Sequence, residues 1–135
     1  AVKNKTSTEN RILDGKKVLL VDDNAVNILI AKQLLQKQKM IISTAKDGLE
    51  AVEKAKKENF DIILMDIQMP IMNGFEATKK IREFNTNTPI YALSASILED
   101  SKKEIFEYGF KGLLLKPFNP HDFIYIIKEN IGYEA

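Results

Sequence analysis

Residues 63–77, ILMDIQMPIMNGFEA, decide the fold of this chain. An apolar run that ends at Met65 is followed by an aspartate, a short loop and an asparagine, Asn73, that stands three residues before Glu76. A run that is apolar at every position suits a strand buried on both faces, and the asparagine–glutamate spacing resembles the capping box that starts a helix. The stretch therefore predicts a buried strand, a loop and then a helix.

The same order of a short apolar run and a helical segment recurs five times from Lys16 onward. The apolar runs are Val18–Val21, Met40–Ala45, Ile62–Met65, Ile90–Leu93 and Leu113–Leu115, and helical periodicity covers about 25–38, 48–58, 74–84, 97–108 and 120–131. Strands and helices that alternate in this way predict an α/β fold with a parallel sheet between two helical layers. Five units are too few for an eight-fold barrel, so we expect an open, doubly wound (βα)5 sheet.

The composition excludes several classes of function. The chain has 135 residues, no cysteine, one histidine and a formal net charge of +1. We interpret the polar residues 1–14 as a linker or chain edge before a single domain at 15–135. The absence of cysteine excludes disulfides and thiolate chemistry, and one histidine excludes a multi-histidine metal site. Interspersed lysine and glutamate argue against nucleic-acid binding, and no apolar run approaches the about 18 residues of a membrane span.

Polar side chains stand where the predicted strands end. Asp22 and Asp23 follow the first strand, Asp66 follows the third, Ser94 ends the fourth and Lys116 follows the fifth. In a parallel sheet all the carboxyl ends lie along one edge, and ligands bind at that edge. Each residue alone is common at a strand end, as part of a turn or as a solvated side chain. The whole set in this order predicts a site of three carboxylates, a hydroxyl and an ammonium.

Three carboxylates in one cleft predict a bound cation or a shifted protonation state. At about 4 Å and an effective dielectric constant near 20, one like-charged pair costs about 4 kcal/mol. Ligands that are all oxygen favour Mg²⁺ or a similar hard ion. A dication, a lysine and a hydroxyl around one carboxylate are what phosphoryl transfer requires. Asp66 is therefore a candidate nucleophile that would form an acyl phosphate.

Four motifs resemble the receiver domain of two-component response regulators. They are VLLVDDN at 18–24, ILMDIQMPIMNGFEA at 63–77, PIYALSAS at 89–96 and GLLLKPF at 112–118, and the resemblance covers about residues 16–131. The first two motifs are more similar to receivers fused to hybrid sensor kinases than to free-standing chemotaxis receivers. The resemblance implies a strand order of 2-1-3-4-5. It also implies that Asp66 accepts a phosphoryl group from a phosphohistidine on a histidine kinase or a histidine phosphotransfer domain.

The resemblance further implies a set of magnesium ligands. Mg²⁺ would be held by Asp23, Asp66 and the backbone carbonyl of Gln68, with Asp22 acting mainly through water. These assignments name the cofactor as Mg²⁺ and place it beside the phosphoacceptor.

Roles for residues of the last two strands also follow from the resemblance. Ser94 and Lys116 would each bond a phosphoryl oxygen, and the peptide bond between Lys116 and Pro117 would be cis. One departure is Leu113, because the family often has at this position an aromatic residue that turns inward on activation. We therefore expect the output change to be smaller or to use another element.

The first helix has more apolar residues than one core-facing stripe requires. We interpret four of them as that stripe: Ile30, Ala31, Leu34 and Leu35. At 100° per residue Ile28 lies about 200° from Ile30, and Leu29 lies at the margin of the stripe. Ile28 and Leu29 are either scattered surface hydrophobics or an apolar docking patch for a four-helix phosphotransfer domain.

Alternative functions are separated by the loop after the first strand. A haloacid-dehalogenase-type phosphatase needs an Asp-x-Asp pair there, and a flavodoxin-like flavin binder needs a Ser/Thr/Gly-rich loop where DDNAVN stands. The remaining alternative is a phosphorylation-silent receiver used as a binding module, against which the intact acids and lysine argue.

We expect a domain that catalyses its own phosphorylation without being a stand-alone enzyme. We also expect a cytoplasmic monomer or weak dimer, free or within a membrane-anchored sensor kinase, that itself contacts neither nucleic acid nor membrane.

Overall fold

Five strands alternate with five helices in the part of the chain that the structure describes. The computed structural model describes residues 13–95, 99–116 and 119–131, with the backbone alone over 99–102. The strands are β1 (Lys17–Val21), β2 (Ile41–Ala45), β3 (Ile62–Asp66), β4 (Ile90–Ser94) and β5 (Gly112–Leu115). The helices are α1 (Ala25–Lys37), α2 (Gly48–Lys57), α3 (Gly74–Arg82), α4 (Glu99–Glu107) and α5 (Pro120–Ile131). Each element lies within a few residues of the range predicted from the sequence pattern.

The strands form one parallel sheet in the order β2-β1-β3-β4-β5. This order confirms the doubly wound α/β fold that the sequence and its resemblance predict. It puts β1 and β3 side by side, with Val21 opposite Met65 in the register. The next residue after each of these is an aspartate, so Asp22 and Asp66 emerge together at the carboxyl edge of the sheet.

Two separate apolar cores lie on the two faces of the sheet. Alternate residues of a strand point to opposite faces, so Leu19 and Val21 enter one core while Val18 and Leu20 enter the other. The first core is completed by α2, α3 and α4, and the second by α1 and α5. Because both faces are covered, the central strands are buried at nearly every position, which explains their unbroken apolar runs.

The expectation of burial on both faces is wrong for β2. Ile41 is 53% exposed, and the next three residues are half-buried. Among the described strands β2 is at the edge of the sheet and pairs with β1 alone, so no described strand lies on its outer side. The apolar run thus identified the strand but not its position at the edge.

Asparagine and aspartate side chains cap four of the helices. Asn73 accepts a backbone N–H bond in the first turn of α3, as its spacing from Glu76 predicts, and Asp47, Asn119 and Asn24 do the same for α2, α5 and α1. The donor–acceptor distances are 2.8–3.2 Å. Ser96, which stands three residues before Glu99 in the same spacing, lies outside the described residues. All four caps stand at the carboxyl edge of the sheet, where each helix begins.

The core-facing stripe of α1 differs from the predicted one. Ala31 and Leu35 are fully buried and Leu34 packs partly against the same core, as predicted, but Ile30 is 47% exposed and Ile28 is half-buried against the core. Ile28 stands three residues before Ala31 and seven before Leu35, so it belongs to their stripe. The exposed apolar residues of α1 are instead Val26, Leu29 and Ile30.

The folded unit begins before the predicted boundary at residue 15. Leu13 is fully buried in the core beneath α1 and α5, although the sequence analysis placed it in the linker. Residues 1–12 of the predicted linker lie outside the described residues. None of the described helices is long and apolar enough to cross a membrane.

Candidate functional site

The ends of β1 and β3 bring three carboxylates together. Asp22, Asp23 and Asp66 each offer an oxygen atom, and these atoms lie within 4.8 Å of one another. Asp22 and Asp66 are buried, whereas Asp23 is exposed. The convergence predicted from the strand ends is therefore present, because the β1–β3 register brings the two strand ends level.

Lys116 bridges two of these carboxylates. Its Nζ lies 3.0 Å from Asp22 Oδ2 and 3.3 Å from Asp66 Oδ1. The lysine is anchored just beyond β5 by its backbone N–H, which donates to the Ser94 carbonyl oxygen at 2.8 Å. Asp22 Oδ1 accepts the backbone N–H of Asn24 at 2.9 Å. The other oxygen of Asp22, Oδ2, is buried and is the one that pairs with Lys116. The peptide bond to Pro117 lies outside the described residues.

The surroundings of Asp66 disfavour its negative charge. Burial, and then repulsion from Asp22, raise the pKa of Asp66 from 3.8 to about 6, although Lys116 and the backbone N–H of Gln68 act in the opposite direction. Burial lowers the pKa of Lys116, but its contacts with Asp22 and Asp66 outweigh burial and raise that pKa. Lys116 is therefore charged throughout the physiological range, while the charge of Asp66 is only partly compensated at neutral pH.

The cluster has the charge and the donor atoms of a dication site. Three carboxylates face one ammonium, so two negative charges remain uncompensated when all three acids are ionised. Mg²⁺ binds oxygen at about 2.0–2.1 Å, so two oxygens on one ion lie about 3 to 4 Å apart. The separations of at most 4.8 Å come close to that spacing. An all-oxygen donor set also fits a hard cation.

The other predicted site residues lie along the same edge of the sheet. Ser94 is half-buried at the end of β4, one residue beyond Leu93, which pairs with Asp66 in the register. Gln68 is exposed, and its backbone N–H donates to the Asp66 carboxyl. Leu113, where the family often has an aromatic residue, is half-buried and packs against the core under α2, α3 and α4. Ser94 and Gln68 thus border the acids, while Leu113 is a core contact.

Two glycines hold the loop after β3 in place. Gly74 N–H donates to Ile67 O at 2.8 Å and closes the loop, and a Cβ on Gly74 would lie 2.3 Å from Asp66 O. Gly48 N–H donates to Met72 O at 3.0 Å, and a Cβ on Gly48 would lie 2.4 Å from that oxygen. Side chains do not fit at either position without a shift of backbone. The first residues of α2 and α3 therefore fix the loop that follows the buried aspartate.

Backbone donors are the part of the site that the sequence analysis missed. The N–H groups of Asn24 and Gln68 donate to the carboxyls of Asp22 and Asp66, respectively. Every residue except proline has such a donor, so residue types alone do not reveal it. The one available signal was the Asp-Asp-Asn order at 22–24, since an aspartate that bonds the N–H two residues later forms an Asx turn.

Comparison with known proteins identifies the family. Over 109 residues the chain is 44% identical to the autoinducer 2 sensor kinase/phosphatase LuxQ of Vibrio vulnificus, a match that covers 80% of this chain and 13% of LuxQ. The chain therefore spans a small part of that relative.

Solved structures give the same result at the level of the fold. The receiver domain of the sensor histidine kinase PA1611 from Pseudomonas aeruginosa, solved with a magnesium ion in its active-site cleft, is 32% identical with a TM-score of 0.82, covering 88% of this chain and 99% of that one. A chain of the Saccharomyces cerevisiae co-crystal of the phosphotransfer protein Ypd1 and the Ssk1 receiver domain is 33% identical with a TM-score of 0.82, covering 87% and 90%. The family model of the response regulator receiver domain matches residues 18–128, so this chain belongs to the receiver domains of two-component signalling.

Proposed function

We propose that this chain accepts a phosphoryl group on Asp66 from a phosphohistidine of a partner protein, with Mg²⁺ as the cofactor. The observation that carries the proposal is the meeting of three carboxylates with Lys116 at the carboxyl edge of the sheet. Such a cluster is costly without a cation, because one ammonium leaves two of its negative charges uncompensated. The magnesium ion in the cleft of the PA1611 receiver supports the choice of metal.

Asp66 supplies the nucleophile of the proposed reaction. One of its carboxylate oxygens attacks phosphorus, an O–P bond forms, and the P–N bond to the partner's imidazole breaks with its electron pair going to nitrogen. Lys116 Nζ, already 3.3 Å from Asp66 Oδ1, is placed to pair with an oxygen of the transferred group. The ionised carboxylate is a much better nucleophile than the neutral acid, so the reaction requires the ionised form of Asp66.

Four further residues complete the proposed site. Asp23, Asp66 and the carbonyl of Gln68 would hold the ion, with Asp22 acting through water. Bound Mg²⁺ would neutralise charge on the phosphoryl oxygens as they develop it. Ser94, at the end of the strand beside β3, would donate its hydroxyl to a phosphoryl oxygen.

The proposed partner is a histidine kinase or a histidine phosphotransfer protein. The co-crystal of Ypd1 with the Ssk1 receiver supports this class of partner. Of the two residues suggested for docking, Leu29 is 57% exposed, whereas Ile28 packs partly against the core. Leu29, together with the exposed Val26 and Ile30, is therefore the better candidate for an apolar docking patch on α1.

Intact-mass measurement with acetyl phosphate and Mg²⁺ tests the proposal. We expect an acid-labile adduct with the mass of one phosphoryl group, absent in Asp66→Asn and absent when EDTA removes the metal. Asp61→Asn, which alters an exposed carboxyl at the other edge of the sheet, serves as the matched control and should be phosphorylated normally. Unchanged mass, together with unchanged NMR shifts near Ser94 in beryllofluoride, would favour the phosphorylation-silent alternative.

A further inference from the structure

The loop between β3 and α3 holds an isoleucine in an unfavourable backbone conformation. Ile71 has a φ of 69°, in the left-handed region that β-branched residues avoid. Met72 N–H donates to Pro70 O at 2.7 Å, so Ile71 is the central residue of a γ-turn, and a positive φ marks the rare, strained form of that turn. Asparagine or glycine would tolerate this backbone better.

The side chain of Ile71 is largely exposed to solvent, so its burial does not offset the backbone strain. It is 78% exposed, the highest exposure among the large apolar side chains of the described residues. Its neighbours in the loop behave differently, since Met69 and Met72 are half-buried and pack against the core. Ile71 therefore combines backbone strain with an apolar surface that water contacts, and packing within the described chain accounts for neither.

Ile71 lies where a phosphodonor protein must make contact. It stands three residues before Gly74, which lies against the Asp66 carbonyl oxygen, and three extended residues span only about 10–11 Å. A standard protein interface buries about 800 Å² on each partner, which corresponds to a disc about 16 Å in radius. A partner that brings a phosphohistidine to Asp66 therefore covers the loop as well.

We propose that Ile71 is a docking residue for the phosphohistidine-bearing partner, packing against an apolar face of one of that partner's helices. The inference rests on the proposed function, and it adds a contact that selects the protein donor without taking part in the chemistry. A small-molecule donor reaches Asp66 without covering the loop, so the two kinds of donor distinguish docking from chemistry.

The chain provides a matched control for backbone strain. Lys39 is the other non-glycine residue with a positive φ among the described residues, at 61°, and it precedes β2 at the opposite edge of the sheet. Replacement by asparagine relieves the same conformation at both positions. We expect Ile71→Asn and Lys39→Asn each to raise the melting temperature by about 2–4 °C.

Phosphotransfer separates the two variants. A panel of phosphorylated histidine phosphotransfer proteins that includes Ypd1 is first tested on the unsubstituted chain. The panel member that phosphorylates this chain fastest is then used as the donor. We expect Ile71→Asn to lower its transfer rate about tenfold, the effect of losing one buried apolar side chain, and Lys39→Asn to leave the rate unchanged. Ile71→Leu, which keeps an apolar side chain, should restore the rate to within about twofold. The rate with acetyl phosphate should be the same in all four proteins.

Three results would overturn the inference. The first is an unchanged transfer rate in Ile71→Asn, and the second is an equal loss with acetyl phosphate and with the protein donor, which would mean that the loop acts on Asp66 itself. The third is transfer from no panel member while acetyl phosphate still phosphorylates Asp66. Failure of acetyl phosphate on the unsubstituted chain is a separate outcome, because it would contradict the proposed function and the inference together.

Discussion

At the scale of single residues, the acids and the lysine could be predicted because strand ends in a parallel sheet share one edge. Asp22, Asp66 and Lys116 are read from the position that follows each apolar run, and the structure brings them within ion-pairing distance. The raised pKa of Asp66 could not be predicted in the same way. It depends on how deeply the carboxyl is buried and on its distance from Asp22, which the spacing of residues does not give.

The raised pKa makes the metal-free protein sensitive to pH. The pKa of Asp66 is about 6 in the folded state and near 3.8 in the unfolded state, so the folded state binds more protons between these values. The resulting stability is present at low pH and is lost as pH rises through about 6. Asp66→Asn has no such loss, so we expect it to be more stable than the parent by about 1–3 kcal/mol near pH 8.

Urea unfolding in EDTA checks this prediction. The difference in the free energy of unfolding should shrink as the pH falls from about 8 to about 4. Asp14→Asn, which changes an exposed carboxyl, is the control and should show no such difference. A constant difference across the range would contradict the role of burial at Asp66.

At the scale of elements, the repeat of strand and helix was readable but the orientation of α1 was not. Apolar residues occupy much of the circumference of α1, so its faces differ little in hydrophobicity. The sequence therefore does not indicate clearly which face is buried. In the structure Ile28 packs against the core together with three residues, Ala31, Leu34 and Leu35, of which all three were predicted. In α2 and α3 the charged residues leave one apolar face, and that face is buried in the core.

The exposed apolar residues of α1 give a prediction for partner binding. Leu29→Glu puts a charge on the proposed docking patch without touching the buried stripe, so we expect association with the phosphotransfer protein to weaken about tenfold while the melting temperature is unchanged. Calorimetric titration measures the affinity. Gln36→Glu adds the same charge at the other end of α1 and should bind normally. Equal affinities of all three proteins would remove α1 from the interface.

The contact between α2 and the loop after β3 predicts that replacing Gly48 by alanine lowers the stability of the protein. Alanine is normally better than glycine in a helix by about 1 kcal/mol, so Gly48→Ala would stabilise the protein if space allowed. The new Cβ would lie 2.4 Å from Met72 O, and we expect a loss of about 1–3 kcal/mol instead. Thermal unfolding measures it, with Leu49→Ala as the control on the exposed next residue. A stabilised Gly48→Ala would show that the loop moves aside freely.

At the scale of the whole molecule, the open parallel α/β architecture could be predicted from the count and order of the elements. The strand order came from the resemblance rather than from the pattern, because periodicity identifies strands without saying which are neighbours. The partly exposed β2 follows from that order, and so does the meeting of the acids after β1 and β3.

Metal binding should stabilise the whole domain. If Mg²⁺ binds the folded state alone, a hundredfold excess over its dissociation constant adds about 2.7 kcal/mol to the free energy of unfolding. Thermal unfolding with MgCl2, compared with NaCl at equal ionic strength, measures this gain. We expect Asp23→Asn to lose most of it and Glu53→Gln, an exposed carboxyl on α2, to keep it. Equal gains in the two variants would place the ion away from the cluster.

The capped helix starts at the carboxyl edge have an electrostatic consequence for the acids beside them. A helix has a partial positive charge at its amino end, equivalent to roughly half an elementary charge. Because every strand here is parallel, α1, α2, α3 and α5 all direct that end toward the rim where Asp22 and Asp66 emerge. The winding of the chain thus directs the peptide dipoles of four helices toward the rim at which the aspartates emerge, and this orientation opposes the cost of burying negative charge there.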